Sequence, residues 1–134
     1  MTDPASRPHG LDDRTNTSIR RLQARLGLPA ADVATAAGRR ALIARMPREG
    51  VTWYGPGFYG RRTACGQVLR RSTVGVAHRQ LPCGTEVTFY CRGRFRTVEV
   101  IDRGPYARGL SWDLTAAAAK SLRLAQTGSV RVIH

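Results

Sequence analysis

The sequence predicts a single, mainly β domain with a small helical segment in front of it. The chain has 134 residues, which is the length of one domain. Ten of the 14 glycines lie after Gly50, where β-branched and aromatic residues alternate with polar ones and turn residues recur every few positions. Before Gly50 the apolar residues follow a helical period instead. The β domain is therefore predicted at residues 50–134.

The first residues are predicted to precede any folded structure. Residues 1–16 are polar and show no apolar period, so we expect a disordered lead-in. The start has no basic region followed by an apolar one, so no signal peptide is visible. We therefore expect either an intracellular protein or an export signal upstream of this start. No apolar run reaches the ~20 residues that a membrane helix needs, so we expect no transmembrane segment.

Two short helices are predicted within residues 17–48. The first begins at Thr17 or Ser18, which are good N-cap residues, and ends near Gly27. The second runs over residues 31–46, where the apolar residues fall on one face of a helix.

Six strands and one helix are predicted in the β domain. The helix covers residues 115–124, which are rich in alanine, and Asp113 is a candidate for its N-cap. A tight turn at residues 91–94 joins two of the strands. The predicted strands lie at 51–54, 66–69, 74–78, 85–91, 94–102 and 129–133.

The charge of the chain favours a polyanionic partner. Lysine and arginine total 22 against 9 acidic residues, giving a net charge of +13. Such a surface suits nucleic acid, an anionic membrane or a bacterial cell wall. The basic residues are scattered as arginine pairs, without a recognition helix or an aromatic strand signature. Nucleic-acid binding is therefore a remote alternative, and we expect no specific nucleic-acid partner.

Several motifs in the β domain occur in the order and approximate spacing of a known family. They are Trp53–Phe58, Arg62–Gly66, Val76–Arg79, Leu81–Thr85, Val100–Tyr106 and Trp112–Leu114. This set resembles the rare lipoprotein A-like double-psi β-barrel, whose relatives include expansins and barwin. The resemblance implies a six-stranded barrel with one short helix and a surface groove for a polysaccharide. It also implies peptidoglycan lytic transglycosylase activity, as in the best-known bacterial members.

The resemblance also implies a catalytic pair, Asp102 and His78. A lytic transglycosylase needs a proton donor at the glycosidic oxygen, and the C6 hydroxyl of the substrate itself attacks. Asp102 ends an apolar strand before a turn, so we expect it half desolvated at the barrel rim, where a general acid works. Alternatively, it caps the Arg103–Gly104 turn or pairs with an arginine. His78 matches the family's groove histidine, which orients Asp102 or binds the sugar; alternatively, it is a residue of the barrel wall.

The chain departs from the family at Gln67. The transglycosylases typically carry a glutamate there, whereas glutamine can bind a sugar but cannot exchange a proton. Glycosidases usually need two carboxylates. Glu99 is a poor replacement, because alternation puts it on the face opposite Asp102 if the strand is regular. Asp113 can serve as a carboxylate of the site or as a helix cap.

The groove is expected to bind sugars through aromatic and polar side chains, because aromatic rings stack on the apolar faces of sugars. Of the aromatic residues, Tyr54 and Tyr106 are assigned to the groove and Phe89 to the core. The predicted substrate-binding residues are Gln67, Tyr54, Tyr106, Arg103 and Asp113.

Cys65 and Cys83 resemble a subgroup of the family in which this pair forms a disulfide. Closing a loop of this size contributes roughly 3 kcal/mol in the chain-entropy estimate. The bond would place the mature protein outside the reducing cytoplasm, secreted or in the cell wall. Cys91 is then expected to be free. A zinc site from the three cysteines and His78 is a minor alternative, because no Cys-x-x-Cys motif is present, and we expect neither a metal nor a cofactor.

The sequence therefore predicts a monomeric protein that acts on peptidoglycan or another anionic cell-wall polysaccharide, as a lytic transglycosylase. The alternative is a non-catalytic, expansin-like module that binds the wall through the same groove. Fold alone does not decide between them. The helical segment at residues 17–48 vaguely resembles a small peptidoglycan-binding module, of which it would be a degenerate remnant.

Overall fold

The computed structural model describes residues 13–28 and 35–134. Two helices come first and a third lies within the barrel sequence. The helices are α1 (Asp13–Arg25), α2 (Ala36–Ile43) and α3 (Ala116–Ser121). The strands are β1 (Arg48–Tyr54), β2 (Val76–Ala77), β3 (Glu86–Cys91), β4 (Arg94–Asp102), β5 (Trp112–Thr115) and β6 (Gly128–Ile133).

The six strands form a closed barrel in the order β1-β5-β2-β4-β3-β6. The pairs β1/β5 and β2/β4 are parallel, and the other pairs are antiparallel. Closure leaves no free sheet edge. The predicted six-stranded, mainly β barrel with one short helix, preceded by helices, is confirmed.

Alternate residues of the strands fill the barrel interior. Phe89 and Trp112 are the largest core side chains, and their rings meet edge to face at 5.6 Å. Phe89 is thus in the core, as predicted. The other core residues are Val51, Val76, Val87, Val98, Val100, Leu114, Ala118, Ala119, Leu122, Val130 and Val132.

Residues 112–115 form a strand that the sequence did not reveal. Trp112 and Leu114 face the core, and this apolar alternation draws Asp113 into β5. Thr115 caps α3 instead, its hydroxyl accepting from the Ala118 amide at 3.3 Å. The N-cap role considered for Asp113 is therefore wrong.

The strand predicted at residues 66–69 is absent from the described structure. Only a single bridge, between Arg62 and Val68, forms there. Leu69 is buried, but its backbone bonds locally to Gly60 and Arg61 rather than to the barrel. The segment is a loop folded on itself at the barrel rim.

The N-terminal helices cover the outer face of the barrel at β3, β4 and β6. Residues 13–16 belong to α1 rather than to a lead-in, because Thr15 is buried and accepts a hydrogen bond from the Thr97 amide at 3.0 Å. Thr35 caps α2, whereas residues 1–12 and 29–34, with part of the predicted second helix, lie outside the described residues. The apolar contacts here involve Ile19, Leu22, Leu42, Met46 and Phe95. Within the described ranges, no helix is long and apolar enough to cross a membrane.

Candidate active site

Asp102 lies at the end of β4, where three donors point at its carboxylate. Its Oδ1 accepts from the backbone amides of Ala64 at 2.8 Å and of Arg103 at 2.9 Å. Its Oδ2 accepts from the phenol of Tyr54 at 2.9 Å. An ionised carboxylate only accepts hydrogen bonds, so these donors match its charged form. The turn-capping bond considered above is present, but it uses only one of the two oxygens.

An irregularity in the pairing of β4 turns Asp102 away from the barrel interior. Val76 pairs with Val100, but the next residue of β2, Ala77, pairs with Asp102. Ile101 is therefore the extra residue of a β-bulge. In a regular strand Asp102 would follow Val100 into the core. The bulge instead brings its carboxylate to the outer face.

A second carboxylate, Asp113, lies on the same outer face. Ala77 pairs with Asp102 on one side and with Asp113 on the other. Two strand spacings separate the backbones of the two aspartates, which is roughly 10 Å. Asp113 Oδ1 is buried and has no hydrogen-bond partner in the described part of the chain. Burial, and then the negative charge of Asp102, raise the pKa of Asp113 to about 6.

Tyr54 lies close enough to both aspartates for their charges to act on its phenol. Burial raises the pKa of its phenol well above the ordinary value, and the charge of Asp102, the hydrogen bond to it and the charge of Asp113 add to the effect. The phenol therefore stays protonated and donates to Asp102. Its ring also meets that of Phe58 edge to face at 6.1 Å. Phe58 is exposed on this rim, so two aromatic rings lie beside the two carboxylates.

A family model described as "lytic transglycolase" matches residues 49–134, which is more than half of the chain. The chain belongs to this family. The match covers the barrel from the second residue of β1 to the end of β6, and it contains Tyr54, Asp102 and Asp113. The resemblance to rare lipoprotein A-like double-psi barrels is thereby confirmed.

Curated relatives of the lytic transglycolase family are similar to this chain over the barrel. The "probable endolytic peptidoglycan transglycosylase RlpA" of Synechocystis is 41% identical over 90 residues, covering 66% of this chain and 28% of the relative. The protein of the same name from Aquifex aeolicus is 46% identical over 81 residues, covering 59% and 36%. The chain thus spans about a third of the length of these relatives.

A solved structure with the same fold is an expansin. A mutant Clavibacter michiganensis expansin in complex with cellohexaose is 16% identical, with a TM-score of 0.51, over 64% of this chain and 48% of the expansin. At this level of identity the similarity concerns the fold.

His78, the other catalytic residue that the family resemblance implies, does not contact the Asp102 carboxylate. Its Nδ1 accepts from the amides of Gln80 and Leu81, both at 3.1 Å, and its ring packs on Trp112 at a centroid distance of 4.5 Å. Burial, and then the charges of His134 and Arg79, lower its pKa. The imidazole is therefore neutral at neutral pH, with its proton on Nε2, and it organises the loop after β2.

Arg103 is also committed to that loop. Its guanidinium donates to the carbonyl oxygens of Leu81 at 2.7 Å and of His78 at 3.2 Å. The side chain thus ties the residue after Asp102 to the turn that His78 organises. A contact of Arg103 with substrate, as predicted, would have to use the guanidinium N–H groups that do not donate to these two carbonyl oxygens.

The other predicted groove residues are on the surface. Gln67 is exposed, and its Oε1 accepts from the Thr63 hydroxyl at 3.1 Å. Tyr106 has 77% of its surface exposed and follows the turn after Asp102. Glu99, set aside above, forms an ion pair with Arg14 of α1, so it serves the helix and not the site.

The disulfide implied by the resemblance is present. Cys65 is bonded to Cys83, with a Cα–Cα distance of 5.8 Å, and Cys91 is free. The bond joins the loop that carries the Ala64 amide to the loop after β2, to whose carbonyl oxygens Arg103 donates. It excludes the zinc alternative, which needed both thiols. Among the residues that the structure describes, no group of three or more His, Cys, Asp or Glu side chains could hold a metal ion.

Sequence reasoning kept Asp113 open as a carboxylate of the site, but it missed the backbone amide of Ala64 and the strand β5 that places Asp113 two strands from Asp102. A backbone donor carries no side-chain signal. The adjacency of the aspartates depends on β2, whose two residues bring β4 and β5 together. The Trp-Asp-Leu run, with its alternating apolar residues, was the signal that could have revealed it.

Proposed function

We propose that this chain carries a lytic transglycosylase site that cleaves peptidoglycan glycan strands, with Asp102 and Asp113 as its acid–base pair. The observation that carries the proposal is the contrast between the two carboxylates. Asp102 is held by three donors, whereas Asp113 is buried, lacks a partner on Oδ1 and has a pKa of about 6. Paired titratable groups in contrasting environments mark an acid and a base.

Each carboxyl takes one proton transfer. Asp113, in its protonated form, donates to the glycosidic oxygen as the bond from this oxygen to C1 breaks. Asp102 accepts the proton of the C6 hydroxyl as that oxygen bonds to C1, giving a 1,6-anhydro sugar. Asp102 ends protonated and Asp113 ionised, and solvent exchange resets the pair. The negative charge of Asp102 also favours the positive charge that develops on the sugar ring.

The remaining residues position this pair and bind the substrate. Tyr54 holds Asp102 Oδ2, and Arg103 and the disulfide fix the two loops around it. His78 assists indirectly, by holding the loop after β2 through its Nδ1. Tyr106 and Gln67 provide exposed groups for sugar contacts on the rim. We place the protein outside the reducing cytoplasm, where the disulfide persists.

Product analysis tests the proposal. Purified peptidoglycan, both naked and bearing peptide stems, would be digested with the protein and the products identified by mass spectrometry. We expect anhydro-sugar products from the parent and none from Asp102→Asn, which keeps shape and hydrogen bonding but loses the titratable proton. Products without an anhydro ring would indicate hydrolysis by water and contradict the mechanism.

A second candidate function, wall binding without cleavage, is favoured by one observation. Gln67 stands where the transglycosylases that the sequence resembles carry glutamate. If Asp113 supplies the second carboxylate, the parent releases anhydro products without that glutamate. If the parent releases none and Gln67→Glu also releases none, the groove is a binding surface and the second function replaces the first.

A further inference from the structure

A groove of about 450 Å³ lies between β1 and the C-terminal end of α3, away from the two aspartates. Its floor is small and apolar, formed by alanines of α3, and Trp53 forms one wall with 37% of its surface exposed. Lys120 and Arg123 stand at its border, and no acidic residue is among the described residues that line it. We call this feature the Trp53 groove.

The two cations of the Trp53 groove are not used by the fold. Neither the Lys120 ammonium nor the Arg123 guanidinium makes a hydrogen bond or ion pair with any residue in the described ranges. Two more arginines reach this end of α3: Arg92 donates to the Arg123 carbonyl at 3.4 Å and Arg94 to the Ser121 carbonyl at 3.4 Å. A helix end carries only about half a negative charge, so four cations leave a strongly positive surface.

The backbone at this surface is held in an unusual conformation. Within residues 13–28 and 35–134, the non-glycine residues with positive φ are Arg92, at 48°, and Arg123, at 56°. Arg123 directly follows the C-cap of α3, a position where glycine is strongly preferred. A side chain in the left-handed region costs stability, and such residues are common where a ligand is held. Arg92 adopts its positive φ in the tight turn between β3 and β4, which requires it, so the position not explained by a hairpin turn is Arg123.

We propose that the Trp53 groove is a second carbohydrate site, which takes a sugar ring bearing a carboxylate. The ring would stack on the Trp53 indole above the alanine floor, because indole faces bind the apolar faces of sugars. The carboxylate would lie between Lys120 and Arg123, which supply the charge complementarity. The groove therefore anchors the protein to the polymer without taking part in bond cleavage.

The occupant we assign is the peptidoglycan strand, which carries carboxylates on its peptide stems and, where a stem has been removed, on the muramic acid itself. This choice of polymer rests on the function proposed above, whereas the groove and its charge do not. Trp53 and Tyr54 are consecutive in β1, so they point to opposite faces of the sheet. One strand thus contributes Trp53 to the anchoring site on one face and Tyr54 to the site of the two aspartates on the other.

The test separates binding from folding through Arg123→Gly. Glycine suits the positive φ, so this variant should melt at a temperature about 3 °C higher while it loses a cation. We expect Lys120→Ala/Arg123→Gly to sediment with purified sacculi about tenfold or more weakly than the parent at low salt. The control is Arg20→Ala/Arg45→Ala, which removes the same charge from exposed positions that do not line the groove and should change binding less than twofold.

A chemical arm identifies the anion. Sacculi whose carboxylates have been converted to amides should bind the parent as weakly as native sacculi bind the Lys120→Ala/Arg123→Gly variant. The proposal is overturned if the groove variant binds native sacculi like the parent, if the control loses as much binding, or if amidation has no effect. Single-stranded DNA, added at the same total charge as the sacculi, is the competitor that tests for nucleic acid. If it displaces the parent from sacculi and this effect needs Lys120 and Arg123, the groove binds nucleic acid instead. If the groove variant binds sacculi more weakly but the parent releases no anhydro sugars, this inference stands and the proposed activity is rejected.

Discussion

The two faces of β1 near its end differ in both charge and chemistry. Tyr54 points to a rim where two aspartates lie on the strands either side of β2, and Trp53 points to a groove bordered by two cations. The two side chains are adjacent in sequence, and the period of two in a strand separates them. One strand can thus serve two surfaces with opposite electrostatic requirements. Substitutions on the two faces are therefore expected to affect different measurements.

The largest expected effect is on the acidic face, at Asp113. A general acid works in its protonated form, and Asp113 has a pKa of about 6, so the turnover of the parent should fall as pH rises through about 6. Asp113→Asn should lower the maximal turnover by about 10²-fold or more and abolish that limb of the pH profile. Turnover against pH on soluble glycan oligomers measures both. A variant that keeps the limb would remove Asp113 from the acid role.

A matched pair of aromatic substitutions compares the faces directly. Tyr54→Phe removes the donor to Asp102 Oδ2, and a lost hydrogen bond to a charged group should reduce turnover by about tenfold or more. Trp53→Phe, one residue earlier, should leave turnover on short soluble oligomers unchanged. Steady-state kinetics of both variants on the same oligomer provides the test. Equal losses would show that the two faces are not independent.

A smaller effect is expected from Gln67→Glu. The sequence, with a glutamate missing, predicts that restoring it raises the rate well over tenfold. The structure offers Asp113 as the second carboxylate, and the Gln67 side chain is exposed and bonded to Thr63. We therefore expect a change of less than about tenfold in anhydro-sugar release. A larger increase would mean that the pair formed by Asp102 and Asp113 is incomplete without this position.

The smallest effect concerns stability. The pKa of Asp113 is raised in the folded protein, so the native state holds its proton more tightly than the unfolded chain does. Its contribution to stability is present below the ordinary carboxyl pKa of about 4 and is lost as pH rises through about 6. Asp113→Asn, which cannot ionise, should therefore raise the melting temperature more at pH 8 than at pH 4. Melting curves that shift equally at both pH values would argue against this buried charge.

Local patterns in the sequence were sufficient for much of the barrel. The hairpin of β3 and β4 was predicted because alternation is clear on both strands and Arg92-Gly93 makes a tight turn with positive φ at both residues. Strand β5 was missed because four residues before an alanine-rich helix also suit a helix start. The segment at 66–69 was misassigned because a buried leucine in a loop has the same local pattern as one in a strand.

The candidate site was predictable by residue but not by geometry. Asp102 was singled out by the family resemblance together with its place between an apolar strand and a turn. Its orientation depends on the bulge at Ile101, and this shift of register comes from pairing with β2, which local sequence does not encode. The position of Asp113 relative to Asp102 depends on the same two-residue strand, β2. Long-range strand pairing thus decides which carboxylates lie in the same site.

Because helices α1 and α2 pack on the barrel, the smallest part of the chain expected to fold independently begins before the barrel. The family match starts at residue 49, but Phe95 of β4 is wholly buried beneath Ile19, Leu22 and Leu42. A protein truncated at that boundary would expose an apolar patch around Phe95 on the outer surface of the sheet. Exposed apolar patches promote self-association. We expect residues 49–134 alone to aggregate during refolding, and light scattering against the full chain checks this. Exchanging the barrel between proteins would therefore require moving its helical cover with it.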